Sequence, residues 1–310
     1  LDELPVEGRA QSRRQGRRQG LDAWSEPLSL SHFPGQGGLP LAVDRYGDPG
    51  AAPVLLLHGG GQTRHAWGAT ARMLGQRGYH AHSMDLRGHG DSGWSEDQAY
   101  RLSDFAGDVQ AVMAQIGRPI ALIGASLGGM AALLATAATP DSVRALILVD
   151  IAPTMPAEGA AQIQAFMASA PEGFATLEQA ADAVAGYLPH RPRPSSPQGL
   201  MKNLRLRDGR LHWHWDPAFM AATRQDRSLA EDSLVSAARS ITTPTLLVRG
   251  EFSEIVGPDE QARFEALMPH GRTILAPGAR HMVAGDQNTE FGAALLAYLA
   301  EMAPPLMSGP

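Results

Sequence analysis

Gly124-Ala125-Ser126-Leu127-Gly128 places a serine among small residues, where an apolar run meets a run rich in alanine and leucine. Ile120 to Ile123 reads as a buried strand and Met130 to Ala138 as a helix. The G-x-S-x-G spacing suits a sharp, strained strand-to-helix turn that holds the serine hydroxyl above a sheet, where it can attack a carbonyl carbon. Ser126 is the candidate nucleophile. A purely structural glycine-rich turn has the same pattern, so the reading depends on partners elsewhere in the chain.

Acyl transfer needs three further parts. A serine hydroxyl is not nucleophilic near neutral pH unless a base takes its proton, and that base must be oriented by a carboxylate. Histidine suits the task because its ordinary pKa lies near working pH. His281 follows a strand-like run and the Gly278 turn, whereas His270 ends a helical pattern, so His281 is the expected base. Carboxylates stand nearby in Arg249-Gly250-Glu251-Phe252-Ser253-Glu254. The third part is a pair of backbone N–H donors for the oxyanion. His58-Gly59-Gly60-Gly61-Gln62 follows the run Val54 to Leu57 and offers the amide of Gly60, with Gly61 as the alternative; the second donor is the amide of Leu127. Trp67 and Met130 are candidate pocket walls.

Two other segments are rich in polar groups. Asp85-Leu86-Arg87-Gly88-His89-Gly90-Asp91-Ser92-Gly93 lacks the G-K-[ST] ending of a phosphate loop, so it reads as structural, with Asp85 and Arg87 fixing the loop and His89 a loop or pocket-wall residue. His212-Trp213-His214-Trp215-Asp216 would put its histidines on one face of a strand and its tryptophans on the other. A metal site or a substrate wall is conceivable, but no third ligand is near, and a hairpin packing its tryptophans inward is the simpler reading. No metal or cofactor is expected.

These residues need a scaffold that brings loops together. Strand-like runs at Leu41 to Tyr46, Val54 to His58, His80 to Asp85, Ile120 to Ile123, Ala145 to Val149, Thr245 to Arg249 and Arg272 to Leu275 alternate with helical stretches. The helical stretches lie near Ala66 to Gln76, Ser103 to Ile116, Met130 to Ala138, Pro258 to Leu267 and Thr289 to Met302. Such alternation predicts an α/β fold, a mostly parallel sheet with helices on both faces. Residues 153–243 break the rhythm and read as an inserted, mainly helical lid between core segments 26–152 and 244–310. Residues 1–25, with five arginines among glutamine and glycine, read as a disordered extension.

At 310 residues and 44% hydrophobic content, the chain can bury one large core. A net charge of -6 argues against a nucleic-acid footprint, and no apolar run reaches the length of a membrane span. No apolar signal segment is seen, so a cytoplasmic place is expected. The absence of cysteine excludes disulfides and thiolate chemistry. Composition leaves the oligomeric state open.

Taken together, His58-Gly59-Gly60, Asp85 to Gly93, Gly124 to Gly129, the loop after Thr245 to Arg249 and Gly278 to Gly285 resemble the α/β-hydrolases. The branch is the one that holds bacterial esterases, haloperoxidase-like enzymes, lactonases and carbon–carbon bond hydrolases. The resemblance implies a serine hydrolase acting on a small ester or lactone, with a carbon–carbon hydrolase or a non-catalytic small-molecule receptor as alternatives. It also implies an acid in the loop after Thr245 to Arg249, where relatives usually carry aspartate and this chain has Glu254. Some relatives supply the acid from the position of Asp150. Glu254 is the first choice, Asp150 the alternative and Glu251 the last. Relatives also commonly have glycine where this chain has Arg280.

Overall fold

The computed structural model describes residues 30–154, 156–187, 196–222, 227–279 and 289–305. In chain order the strands are β1 (Leu30–Pro34), β2 (Pro40–Tyr46), β3 (Ala52–Leu57), β4 (Tyr79–Met84), β5 (Ile120–Ala125) and β6 (Val143–Val149). After them come β7 (Leu204–Arg207), β8 (Arg210–Trp213), β9 (Thr245–Gly250) and β10 (Arg272–Ala276). Eight of these form one sheet in the order β1-β2-β4-β3-β5-β6-β9-β10, while β7 and β8 form a separate antiparallel hairpin. Pairing is antiparallel from β1 through β2 to β4 and parallel across the rest.

Burial on both faces explains why the parallel strands are unbroken apolar runs. Alternate residues feed two cores: Leu55, Leu57, Leu122, Leu146 and Leu148 enter one, and Val54, Leu56, Ile123, Ile147 and Val149 the other. Helix α1 (Gly68–Gln76) covers the second core through Ala71 and Leu74. Helices α2 (Leu102–Ile116) and α3 (Leu127–Ala138) cover the first through Phe105, Val109, Ala131 and Leu133.

The segment between β6 and β9 carries α4 (Ala157–Met167), α5 (Leu177–Tyr187), the β7–β8 hairpin, α6 (Pro217–Ala222) and α7 (Arg227–Ser240). Its aromatic residues pack together: Trp213 stacks on Trp215 at 5.1 Å between ring centroids, and Phe174 meets Trp213 edge-on. Helices α8 (Pro258–Leu267) and α9 (Thr289–Met302) complete the fold, α9 adding Leu295, Tyr298 and Leu299 to the second core. No described helix is long and apolar enough to cross a membrane. Residues 1–25 lie outside the described residues.

The seven expected strands are all present, with ends within about two residues of those read from the sequence. Strand β1 is an addition. It alternates exposed and half-buried positions at the sheet edge, so it has no apolar run to announce it. The strand order creates a topological switch: β3 connects through α1 to β4 on one side, and β5 connects through α3 to β6 on the other. The loops leaving the carboxyl ends of the adjacent strands β3 and β5 therefore diverge, opening a crevice between them.

Candidate active site

Ser126 sits at one rim of that crevice. Strand β5 ends at Ala125 and α3 begins at Leu127, so this one residue reverses the chain with φ 47° and ψ −118°. Such a conformation costs a non-glycine residue about 1–3 kcal/mol and persists only where the surroundings fix it. Here the Gly128 N–H donates to the His58 carbonyl at 3.1 Å, and a Cβ on Gly128 would lie 2.5 Å from the Leu57 carbonyl oxygen. A Cβ on Gly124 would strike the backbone of Gly128 and Gly129. The glycine spacing of the elbow is thus a steric requirement of the turn.

The opposite rim is the loop after β3. The Gly59 N–H donates to Gln62 Oε1 at 3.0 Å, and the Gln62 N–H returns a bond to the Gly59 carbonyl. That carbonyl also pairs with His58 Nδ1 at 2.8 Å, and His58 Nε2 accepts the Leu86 N–H at 3.0 Å. His58 is therefore a neutral imidazole with its proton on Nδ1, and burial pushes its pKa down to about 4. The Gly61 N–H, the alternative oxyanion donor, is already engaged by His89 Nε2 at 3.2 Å. Among the described residues the amides of Gly60 and Leu127 have no hydrogen-bond partner. A Cβ on Gly59 would lie 3.3 Å from Ser126 Cβ, so the two rims are in contact.

The carboxylates differ sharply in setting. Asp150, at the end of β6, is fully buried with a positive φ of 49°. Its Oδ1 accepts the Gly250 N–H at 2.9 Å and its Oδ2 accepts the Ser253 hydroxyl at 2.6 Å. Ser253 Oγ in turn accepts the N–H groups of Ile255 and Val256. Glu254, the first choice from sequence, is exposed on the loop after β9. Glu251 Oε2 accepts the Gly278 N–H at 2.7 Å, and the Phe252 N–H donates to the Ala279 carbonyl at 2.9 Å. The loop after β9 thus grips the chain two residues ahead of His281. His281 and Arg280 themselves lie outside the described residues.

Trp67 is not a pocket wall. It has no exposed surface and packs in the second core, 6.3 Å from the Phe291 ring, because the turn that carries it winds back toward α1. Met130, one turn along α3 from Ser126, is partly buried against the first core. Sequence reasoning missed the side chains nearest the crevice: a methyl group on Gly60 would lie 3.7 Å from Met167 Sδ, 3.9 Å from Phe219 Cζ and 4.0 Å from Leu127 Cδ2. Met167 and Phe219 belong to α4 and α6, and no local pattern marks them as neighbours of Gly60.

The polar loop 85–93 braces the site from below. Asp85 accepts the Arg64 N–H at 2.6 Å, the Arg64 guanidinium at 2.5 Å and the Asp91 N–H at 2.9 Å. Arg87 forms a bidentate pair with Asp108 at 2.6 and 2.7 Å. Both residues fix the loop, as their types suggest. His89 is fully buried beside Phe219 rather than lining a wall. Of the His-Trp cluster, His214 reaches the core: its Nδ1 accepts the Gly90 N–H at 2.7 Å. Among the described residues no group of acidic or histidine side chains is arranged to hold a metal ion.

Comparison with known proteins agrees with this layout. A sequence model described as alpha/beta hydrolase fold matches residues 52–286. An esterase of Mycobacterium tuberculosis is 31% identical over 252 residues, covering 77% of this chain and 80% of that one. An sn-1-specific diacylglycerol lipase of Mus musculus is 28% identical over 297 residues, covering 93% and 90%. The crystal structure of E-2-(acetamidomethylene)succinate hydrolase superposes with a TM-score of 0.77 at 26% identity, covering 87% of this chain and 98% of the other.

Proposed function

The chain belongs to the alpha/beta hydrolase fold family, and on that premise we propose that it is a cofactor-independent serine hydrolase of small carboxylic esters or lactones. One observation carries the reading: Ser126 stands in a strained elbow at the crevice, in contact with a loop whose Gly60 amide, like that of Leu127, has no partner among the described residues. Strain and unsatisfied donors are costly, and both suit a site that stabilises charge developing only in the transition state.

In this mechanism the Ser126 oxygen bonds to the substrate carbonyl carbon as its proton passes to His281. The carbonyl π electrons move to oxygen, and the amides of Gly60 and Leu127 hold that oxyanion, each contributing about 3 kcal/mol. Collapse of the intermediate breaks the bond to the leaving oxygen, which takes the proton from His281. A water then repeats the addition with His281 as base, and the acid is released with Ser126 restored. Met167, Phe219 and Leu127 roof the oxyanion loop with apolar atoms, which lowers the local dielectric and strengthens each amide contact. Residues 153–243 act as the lid because they supply that roof.

Asp150 is the proposed orienting acid, in place of Glu254. Its carboxylate is fully buried at the end of β6 and aimed by the Gly250 N–H and the Ser253 hydroxyl, so it is already ordered and desolvated. An exposed glutamate would have to be ordered at the cost of its side-chain freedom. A fluorophosphonate probe tests the reading. It should phosphonylate Ser126 in the native protein, and Ser126→Ala should abolish both labelling and turnover of p-nitrophenyl esters while leaving the circular dichroism unchanged. A folded native protein that takes no label would overturn it.

A further inference from the structure

Three successive glycines form the most pliable backbone a loop can have, yet an oxyanion donor must be aimed before the reaction begins. Gly59 is held from its own side of the loop by Gln62 and His58. Gly61, at φ 74°, is held from outside on both of its polar atoms. Its N–H donates to His89 Nε2 at 3.2 Å, and its carbonyl lies 3.3 Å from His214 Nε2. The two rings are set by their other nitrogens. His89 Nδ1 lies 2.9 Å from the Arg87 carbonyl and so carries the proton, which leaves Nε2 as an acceptor. His214 Nδ1 accepts the Gly90 N–H, so its proton is on Nε2 and points at Gly61.

We infer that His89 and His214 are positioning residues that clamp the Gly61 peptides and thereby aim the Gly60 amide, so that the insertion sets the oxyanion hole through His214. The inference rests on the serine-hydrolase reading above. Both rings must stay neutral and in opposite tautomers, since a proton on His89 Nε2 would face the Gly61 N–H donor to donor. Burial keeps them so, pushing His89 down to about 3 and His214 well below its ordinary value. Neither ring touches the reacting atoms in this scheme, and each acts through Gly61.

A trifluoromethyl ketone, which takes the Ser126 oxygen to form a tetrahedral oxyanion, separates aim from packing. His214→Phe should lower kcat about tenfold with KM within about twofold, and should weaken the ketone by the same factor as kcat/KM. His214→Gln keeps a donor toward Gly61 and should recover at least about a third of the lost rate. Nitrogen-15 spectra of the native protein should show His89 protonated on Nδ1 and His214 on Nε2. A folded His214→Phe protein with native kcat and ketone affinity, or the reverse tautomers, would overturn the clamp. If His214→Phe does not fold, the tautomers decide. Ser126 labelling separates the two failures: no label on the native protein sinks the hydrolase reading, whereas a labelled protein indifferent to His214 sinks only the clamp.

Discussion

Replacing Asp150 by asparagine tests the acid assignment with little change of shape. Donors to Asp150 in the native protein include the Gly250 N–H at 2.9 Å and the Ser253 hydroxyl at 2.6 Å. Asparagine can keep its oxygen on Gly250, which turns its NH2 toward Ser253. The Ser253 oxygen already accepts from Ile255 and Val256, so both of its lone pairs are taken and the new N–H group is left buried without a partner. That orphan costs about 1–3 kcal/mol of stability, enough to move the thermal midpoint by several degrees without unfolding the protein. The catalytic loss should be far larger. An amide offers no negative charge to stabilise the imidazolium and favours the wrong tautomer, so kcat should fall about 10⁴-fold. Glu254→Gln, at an exposed position, should stay within about twofold. Steady-state hydrolysis of a p-nitrophenyl ester, with calorimetry on the same samples, measures both effects. A crippled Glu254→Gln beside an active Asp150→Asn would refute the reasoning and return the role to Glu254.

Gly128→Ala should destabilise the protein by about 2–3 kcal/mol in urea and cut kcat at least about tenfold, because the new methyl meets the carbonyls of Leu57 and His58 and pushes the end of β3 from the elbow. Acid sensitivity should appear well above the carboxylate range. Burial holds His58 and His80 at about 4 and His82 and His89 at about 3, so unfolding takes up protons below the unfolded value of 6.5. Stability is then complete above pH 6.5 and is lost as pH falls toward 4, with each histidine contributing about 1.4 kcal/mol per pH unit. A urea midpoint that stays flat from pH 6.5 to 5 would contradict this account.

Much of the fold was legible because its signals are local. Strands buried on both faces must be apolar throughout, and the elbow needs glycine at 124 and 128 to let two backbones touch, so β3, β5 and Ser126 stand out in the sequence. Residues whose placement depends on distant packing did not. The family resemblance ranks Glu254 ahead of Asp150 by loop position, while the features that support proposing Asp150, its burial and the bond from the Ser253 hydroxyl, arise only once β6 and β9 pair. Trp67 follows the glycine loop after β3 closely enough to suggest a wall, yet one short turn carries it into the second core against Phe291. His214 reads as part of a hairpin, and its contact with Gly90 joins residues 124 positions apart.

The attachment of the segment between β6 and β9 to loop 85–93 also bears on how such proteins can be recombined. Arg205 pairs with Asp91 at 2.6 Å, His214 takes the Gly90 N–H, and the Asp216 N–H donates to the Gly88 carbonyl at 2.8 Å. Plug and socket are therefore encoded more than a hundred residues apart. A chimera cut only at the borders of residues 153–243 would import a plug without its socket, leaving carbonyls, amides and a carboxylate facing strangers. A transplant that carries residues 85–93 along with residues 153–243 keeps the fastening intact.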